Sequence, residues 1–203
     1  MKIACLHTAE SNVAVFEAAC PEGVRLSHAV RPDLLAAAEA EGLTPAIAAA
    51  TAEALDALAE DRGEDGGADA VLLTCSTLGP AAEAAGALRA DAALARAATE
   101  EGGAVEVLCA APSTLAATAE LFGAAAEEAG ARVTIRLVPG AWALFHAGDH
   151  GAYAERIARD ADASRADVVA LAQASMAPAA GLATRPVLTC PGAALAAALT
   201  AAG

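Results

Sequence analysis

An internal repeat constrains the fold of this chain more than any other feature. Residues 68–80 are ADAVLLTCSTLGP and residues 166–178 are ADVVALAQASMAP, so Ala, Asp, Val, Leu and Pro recur 98 positions apart. The two halves also begin alike, with KIACLHTAES at residues 2–11 and VEVLCAAPST at residues 105–114. Such a duplication predicts two similar lobes, and ligand sites commonly lie between two lobes of this kind.

The spacing of apolar residues predicts strands that alternate with alanine-rich helices. The predicted strands cover residues 2–6, 25–30, 70–74, 105–109, 132–137, 168–172 and 187–188. Alternation of this kind indicates an α/β architecture, because parallel strands are joined by crossovers that usually contain a helix. We therefore expect two pseudo-symmetric lobes, each a parallel sheet flanked by helices, with the active-site cleft between them.

Glycines at Gly102 and Gly103 mark the predicted boundary between the lobes. The first lobe is predicted to contain residues 1–100 and 186–203, and the second to contain residues 101–185. The terminal segment is assigned to the first lobe because PVLTCPGAALAAALTAA supplies a further strand and helix after the second repeat is complete.

Composition excludes several classes of function. The chain has 26 acidic and 12 basic residues, a net charge of -14, and few aromatic residues, whereas nucleic-acid binding needs a basic surface or stacking platforms. No apolar stretch of about 18 residues lacks a break or a charge, and the N-terminus does not have the form of a signal peptide. The five cysteines are irregularly spaced and predict free thiols. We expect a soluble, cytoplasmic protein that binds neither nucleic acid nor membrane.

The segment VLLTCSTLGP at residues 71–80 is the strongest candidate for a catalytic position. Its apolar run is typical of an inner parallel strand, and ligands bind at the carboxyl ends of such strands. Cys75 would lie at this edge, and Ser76 and Thr77 are expected to begin the next helix, where free amides favour a carboxylate. The alternative is that Cys75 is a small buried core residue.

Polar residues also follow the first strand of each half. His7, Thr8 and Ser11 come after the first strand, and Ser113 and Thr114 lie in the corresponding loop of the second half. These side chains can bind substrate. The alternatives are a structural histidine and helix N-caps.

These segments together resemble the aspartate/glutamate racemase superfamily, which includes hydantoin racemases, maleate isomerases and arylmalonate decarboxylases. The resemblance rests on TCST at 74–77, the openings HTAES and AAPST, and ALAQASM at 170–176. It implies two strand-end cysteines on opposite sides of the substrate's acidic carbon, a role in amino acid metabolism, and no metal or organic cofactor. It also implies a small carboxylate or amino-acid-like substrate and allows a homodimer.

The sequence departs from that pattern at one position. Cys75 matches the first cysteine of the superfamily, since Cys-Ser-Thr follows its Cys-(Asn/Ser)-Thr pattern. Six residues after Asp69 is Cys75, but six residues after Asp167 is Gln173, so glutamine replaces the second cysteine. An amide cannot exchange a proton as a thiol can. Gln173 and Ser175 are instead expected to line the substrate site opposite Cys75.

Three functions remain open on the sequence alone. The first is a cofactor-independent racemase or isomerase that uses the single thiol of Cys75. The second is a decarboxylase of the same superfamily, and the third is a non-catalytic protein that binds a small ligand. No metal site is predicted at His146 and His150, because Gly148 interrupts the helix that would align them and the HExxH pattern is absent.

Overall fold

The first half of the chain forms a four-stranded parallel sheet with strand order β2-β1-β3-β4. The computed structural model describes residues 1–60 and 67–203. The strands of this sheet are β1 (Lys2–His7), β2 (Arg25–Val30), β3 (Ala70–Leu73) and β4 (Leu88–Arg89). The helices are α1 (Ser11–Ala18), α2 (Pro32–Glu41), α3 (Pro45–Glu60), α4 (Gly79–Ala84) and α5 (Ala90–Thr99).

The second half repeats this topology in a sheet of order β6-β5-β7-β8, again with parallel pairing throughout. Its strands are β5 (Gly103–Cys109), β6 (Ala131–Leu137), β7 (Val168–Leu171) and β8 (Leu188–Thr189). Its helices are α6 (Leu115–Ala129), α7 (Ala141–His146), α8 (His150–Asp162) and α9 (Cys190–Ala202), with 3-10 helices at Pro112–Thr114 and Ala174–Gly181. The predicted α/β fold of two similar parallel sheets is confirmed.

The chain divides into two compact units. Unit 1 contains Met1–Ala93 and Ala194–Gly203, and unit 2 contains Leu94–Ala193. The segment 186–203 therefore contributes to both units, since β8 pairs with β7 of the second sheet while the last ten residues belong to unit 1. The sequence pattern did not predict β4, because this short strand lies between alanine-rich segments that are typical of helix.

An aspartate just before the inner strand holds the start of each sheet. The Asp69 amide donates to the Lys2 carbonyl at 2.8 Å, and its carboxylate accepts the Lys2 amide at 2.8 Å. Asp167 makes the same pair of bonds with Ala104, at 2.9 and 2.8 Å. A Cβ on Gly103, which has φ +80°, would lie 2.9 Å from the Asp167 carboxylate. The recurring aspartate therefore aligns the inner strands of both sheets.

The inner strands also stay paired beyond their last ladder residues. The Thr74 amide donates to the Leu6 carbonyl at 3.0 Å, and the Ala172 amide donates to the Leu108 carbonyl at 3.0 Å. The residue after each of these amides consequently occupies the same place in its own unit. Cys75 and Gln173 are thus structural equivalents in the two repeats.

One face of each sheet is closed by an apolar cluster. In unit 1, Leu6 and Leu73 pack with Leu34, Leu55 and Leu78, all less than 5 % exposed. The corresponding cluster of unit 2 includes Leu108, Leu171, Val169, Tyr153 and Ile157. Within residues 1–60 and 67–203, no helix combines the length and the apolar character needed to cross a membrane.

We expect the substitutions Asp69→Ala and Asp167→Ala each to lower the free energy of unfolding by about 1 kcal/mol, because each removes an acceptor for a strand amide at an exposed site. Urea denaturation followed by circular dichroism measures this change. Asp56→Ala, on an exposed turn of α3, is the matched control and should change the free energy by less than about 0.5 kcal/mol. Equal stability of all three variants would contradict the assignment.

Candidate active site

Cys75 lies at the carboxyl edge of the first sheet, two residues after β3 ends. Alternation along the chain places Leu73 and Cys75 on the same face as Leu6, and all three belong to one apolar cluster. The Cys75 side chain is 9 % exposed. The thiol is therefore held mainly by apolar side chains, with a small accessible surface at the end of the sheet.

Ser76 and Thr77 are both exposed immediately after Cys75. The expectation that they begin the next helix is wrong, since α4 begins at Gly79. The physical reason is Pro80, which is favoured in the first turn of a helix because it has no amide hydrogen to satisfy. The Gly79 amide donates to the Ser76 carbonyl at 3.1 Å, so the two hydroxyls lie in a turn.

His7 is fully buried and joined to a chain of polar side chains. Its Nδ1 lies 2.8 Å from Thr74 Oγ1, and its Nε2 lies 2.8 Å from His28 Nδ1. His28 Nε2 in turn lies 2.9 Å from a carboxylate oxygen of Glu17. Burial, and next the neighbouring His28, lower the pKa of His7 to about 4, so its imidazole is neutral at pH 7.

The structure does not bring His7 together with Cys75. His7 projects from the face of β1 opposite to Leu6, whereas Cys75 packs with Leu6. Thr8 is buried, and Ser11 is exposed at the first position of α1. The N-cap of α1 is Glu10, without a side-chain capping bond, so neither hydroxyl is its N-cap.

Gln173 is tied to the loop that follows β5. Its Oε1 accepts the Ala110 amide at 2.6 Å, and its Nε2 donates to Thr114 Oγ1 at 2.9 Å. Thr114 donates its hydroxyl to the Ala111 carbonyl at 2.8 Å. The structure therefore brings Gln173 and Thr114 together, while Ser113 stands exposed in the short 3-10 helix.

Cys109 borders the same group at the end of β5. Burial raises the pKa of the Cys109 thiol, although hydrogen bonding with the side chains of Thr118, Gln173 and Thr114 acts in the opposite direction. The thiol is fully buried and stays protonated at neutral pH. The carboxyl edge of the second sheet thus carries the side-chain amide of Gln173 and the neutral thiol of Cys109. The sequence pattern did not predict that these two side chains are neighbours.

Ser175 is hydrogen-bonded to Tyr153, a residue that no sequence motif marked as part of a site. The two hydroxyl oxygens lie 2.9 Å apart, and Tyr153 is 2 % exposed in the core of unit 2. Burial raises the pKa of Tyr153 to about 12, against the opposing effect of the Ser175 hydrogen bond. Tyr153 is the one tyrosine of an alanine-rich chain, and this rarity is the sequence feature that could have marked it as a candidate residue.

The polar segment at residues 146–150 serves mainly to join two helices. His146 is the last residue of α7 and contacts the Trp142 ring edge to face, with the ring centroids 4.6 Å apart. Asp149 caps α8 by accepting the Ala152 amide at 3.1 Å. The histidines at 146 and 150 therefore lie on different helices and lack the common helical face of an i,i+4 pair.

An open groove of about 410 Å³ lies in unit 2, at the edge opposite to these residues. It is lined by residues 104–106, 132, 134 and 164–166. Residues 104–106 belong to the amino-terminal half of β5, whereas ligands of parallel sheets bind at the carboxyl ends. The groove is consequently not the candidate active site.

The fold is shared with racemases and isomerases of known structure. Allantoin racemase from Pseudomonas fluorescens matches with a TM-score of 0.57 and 20% identity, over 98% of this chain and 90% of that chain. Allantoin racemase from Klebsiella pneumoniae matches with a TM-score of 0.66 and 17% identity, over 98% and 86%. The maleate isomerase Iso from Pseudomonas putida S16 matches with a TM-score of 0.57 and 14% identity, over 99% and 92%.

At these identities the likeness defines the fold class of this chain, a two-lobed α/β architecture found in such enzymes. No protein-family model matches the sequence, and no curated protein matches it significantly.

We expect the absorbance of the Tyr153 phenolate to appear near pH 12 in the folded protein and near pH 10 in urea. The neutral phenol therefore contributes stability below pH about 10, and this contribution is lost as the pH rises toward about 12. Ultraviolet titration reports this residue alone, because the chain has one tyrosine. Ser175→Ala should move the folded transition to higher pH, and a transition near pH 10 in the folded protein would contradict the burial argument.

Proposed function

We propose that the protein is a cofactor-independent isomerase of the aspartate/glutamate racemase superfamily that acts on a small carboxylate-bearing substrate through the thiol of Cys75. The observation that carries this proposal is the place of Cys75, just beyond the inner strand β3 in a fold shared with allantoin racemases and a maleate isomerase. The carboxyl edge of an inner parallel strand is where such sheets bind ligands.

The residue equivalent to Cys75 favours chemistry with one thiol. Gln173 occupies that position in unit 2, and its amide is neither an acid nor a base near pH 7. Inversion at a carbon centre by two opposed thiols would require a second cysteine there. The bonds of Gln173 to Ala110 and Thr114 give it a different task, which is to hold the loop after β5 in place.

Addition and elimination at a double bond needs a single nucleophile. In this step the Cys75 thiolate donates an electron pair to one carbon of a carbon–carbon double bond conjugated to a carboxylate. The pi electrons move onto the carboxylate-bearing side, which leaves a single bond that can rotate. Loss of the thiolate then restores the double bond in the other geometry, so atoms and charge balance without a cofactor. One neighbour of this fold is a maleate isomerase, and a variant of that enzyme is known with maleate.

The carboxylate of the substrate would be bound by neutral donors. Ser76 and Thr77 directly follow Cys75, are exposed, and can each donate a hydroxyl hydrogen. Local donors are required because the chain carries a net charge of -14, which repels an anion at long range. In unit 2 the repeat places Ser175 at the position equivalent to Thr77, and Ser113 and Thr114 supply further hydroxyls in the loop after β5.

We expect the wild-type protein to convert a cis unsaturated dicarboxylate such as maleate into its trans isomer. Cys75→Ala should lower kcat by about 10³-fold or more, because it removes the nucleophile. Proton NMR of the vinyl signals measures the conversion directly. Cys190→Ala, which removes another buried thiol at the start of α9, is the matched control and should keep wild-type turnover. Full activity in Cys75→Ala would overturn the proposed mechanism.

The same reaction in D₂O separates the proposed chemistry from its alternatives. Addition and elimination should give a product without deuterium on carbon, whereas racemisation of a hydantoin or an amino acid would place one deuterium at the stereocentre. A decarboxylase would release CO₂ from a substituted malonate. Saturable binding with no conversion of any substrate, unchanged by Cys75→Ala, would favour the non-catalytic binding protein.

A further inference from the structure

Three potential metal ligands meet on the face of the first sheet that α1 covers. Cys5 and His7 are two residues apart on β1 and therefore project from the same face. His28 lies beside Cys5 in the parallel register of β1 and β2. One ligand atom from each side chain lies within 4.8 Å of the other two.

Each histidine of this group has an outer hydrogen-bond partner on its other ring nitrogen. His7 Nδ1 lies 2.8 Å from Thr74 Oγ1, while His28 Nε2 lies 2.9 Å from Glu17 Oε1. The remaining nitrogens, His7 Nε2 and His28 Nδ1, face each other at 2.8 Å. Histidines that bind metals commonly donate their second N–H to a carboxylate or another oxygen in this way.

The hydrogen-bond donors of this group can be assigned, and the assignment leaves the two facing ring nitrogens without a hydrogen between them. Thr74 Oγ1 lies 3.3 Å from the Leu6 carbonyl, to which its hydroxyl donates, so Thr74 accepts from the N–H at His7 Nδ1. His28 donates its Nε2 hydrogen to Glu17. Both facing nitrogens then carry lone pairs, which a proton or a metal ion must separate. A neutral chain satisfies them only if Thr74 gives up its bond to Leu6.

The second unit shows that the fold does not need these polar residues. The equivalent positions follow from the matching strand registers of the two sheets. Cys5, His7, His28 and Thr74 correspond to Val107, Cys109, Ile135 and Ala172, respectively. The group of polar side chains is therefore specific to unit 1 and is not required by the fold that the two units share.

We propose that Cys5, His7 and His28 bind one transition-metal ion of the zinc type, with Glu17 and Thr74 orienting the two imidazoles. A thiolate and two imidazoles are ligands that zinc prefers. Zinc–nitrogen bonds of about 2.0–2.1 Å in a tetrahedral site place two nitrogens about 3.3 Å apart, so the rings need to separate by about 0.5 Å. Solvent supplies the fourth ligand.

The metal ion would reach its ligands past His28 and would bind within unit 1. The His28 side chain is 13% exposed and provides the path to a group in which Cys5 and His7 are fully buried. The ion would cross-link β1 to β2 beneath α1 and stabilise the folded state. This inference is independent of the proposed reaction, because the three ligands lie on the face of β1 opposite to the cluster that contains Cys75.

Cobalt binding to the full chain tests the site. Protein freed of metal with a chelator is titrated with Co²⁺, and the expected result is one Co²⁺ per chain with a thiolate-to-cobalt charge-transfer band. Zn²⁺ should displace the cobalt and raise the Tm. Cys5→Val should abolish the charge-transfer band, because it removes the thiolate ligand. His28→Ile should lower the affinity by more than about 100-fold, because it removes an imidazole ligand. Each variant introduces the residue found at the equivalent position of unit 2, which the fold accepts.

Matched controls separate loss of a ligand from loss of the fold. Cys109→Val removes a buried strand-end thiol of unit 2 and should leave cobalt binding unchanged. Glu17→Ala changes a side chain that is 53% exposed and should weaken binding by about 10–100-fold with normal circular dichroism, whereas Glu10→Ala on the same surface should not. Failure of the wild type to bind stoichiometric Co²⁺ or Zn²⁺, or a charge-transfer band that persists in Cys5→Val, overturns the proposal.

Discussion

Each unit depends on the parallel pairing of its two central strands, which are β1 and β3 in unit 1 and β5 and β7 in unit 2. The amides of Thr74 and Ala172 extend this pairing past the ladder by bonding to the carbonyls of Leu6 and Leu108. The bonds fix which residue stands at the carboxyl edge of each sheet, namely Cys75 in one unit and Gln173 in the other. Parallel sheets bind ligands at this edge, so a backbone bond decides where the chemistry can occur.

The two units share a scaffold and differ in the chemistry that they place on it. The aspartates before β3 and β7 make the same bonds in both, and the strand order is the same. On one face of the first sheet, His7 and His28 are polar and hydrogen-bonded, whereas their equivalents on β5 and β6 are Cys109 and Ile135. A duplicated fold tolerates this divergence because backbone hydrogen bonds, unlike side-chain contacts, do not depend on residue type.

Much of the architecture could be predicted because it follows from the local spacing of apolar residues and from the internal repeat. The apolar runs located the long strands to within one or two residues, and counting from the repeated aspartate identified Gln173 as the equivalent of Cys75. The strand β4 and the start of α4 were not predicted correctly. The strand β4 lies between alanine-rich segments that are typical of helix, and the start of α4 depends on Pro80 rather than on the hydroxyls before it.

The sequence by itself determined the fold class, the duplication and the position of one thiol at a strand end. Only the tertiary structure decided which side chains meet. His7 turned away from Cys75 and toward Cys5 and His28, because strand alternation and the register of β1 with β2 set the direction of each side chain. Ser175 met Tyr153 across 22 positions of sequence. Contacts between residues distant in sequence arise from strand pairing and helix packing, and the local spacing of apolar residues predicts neither.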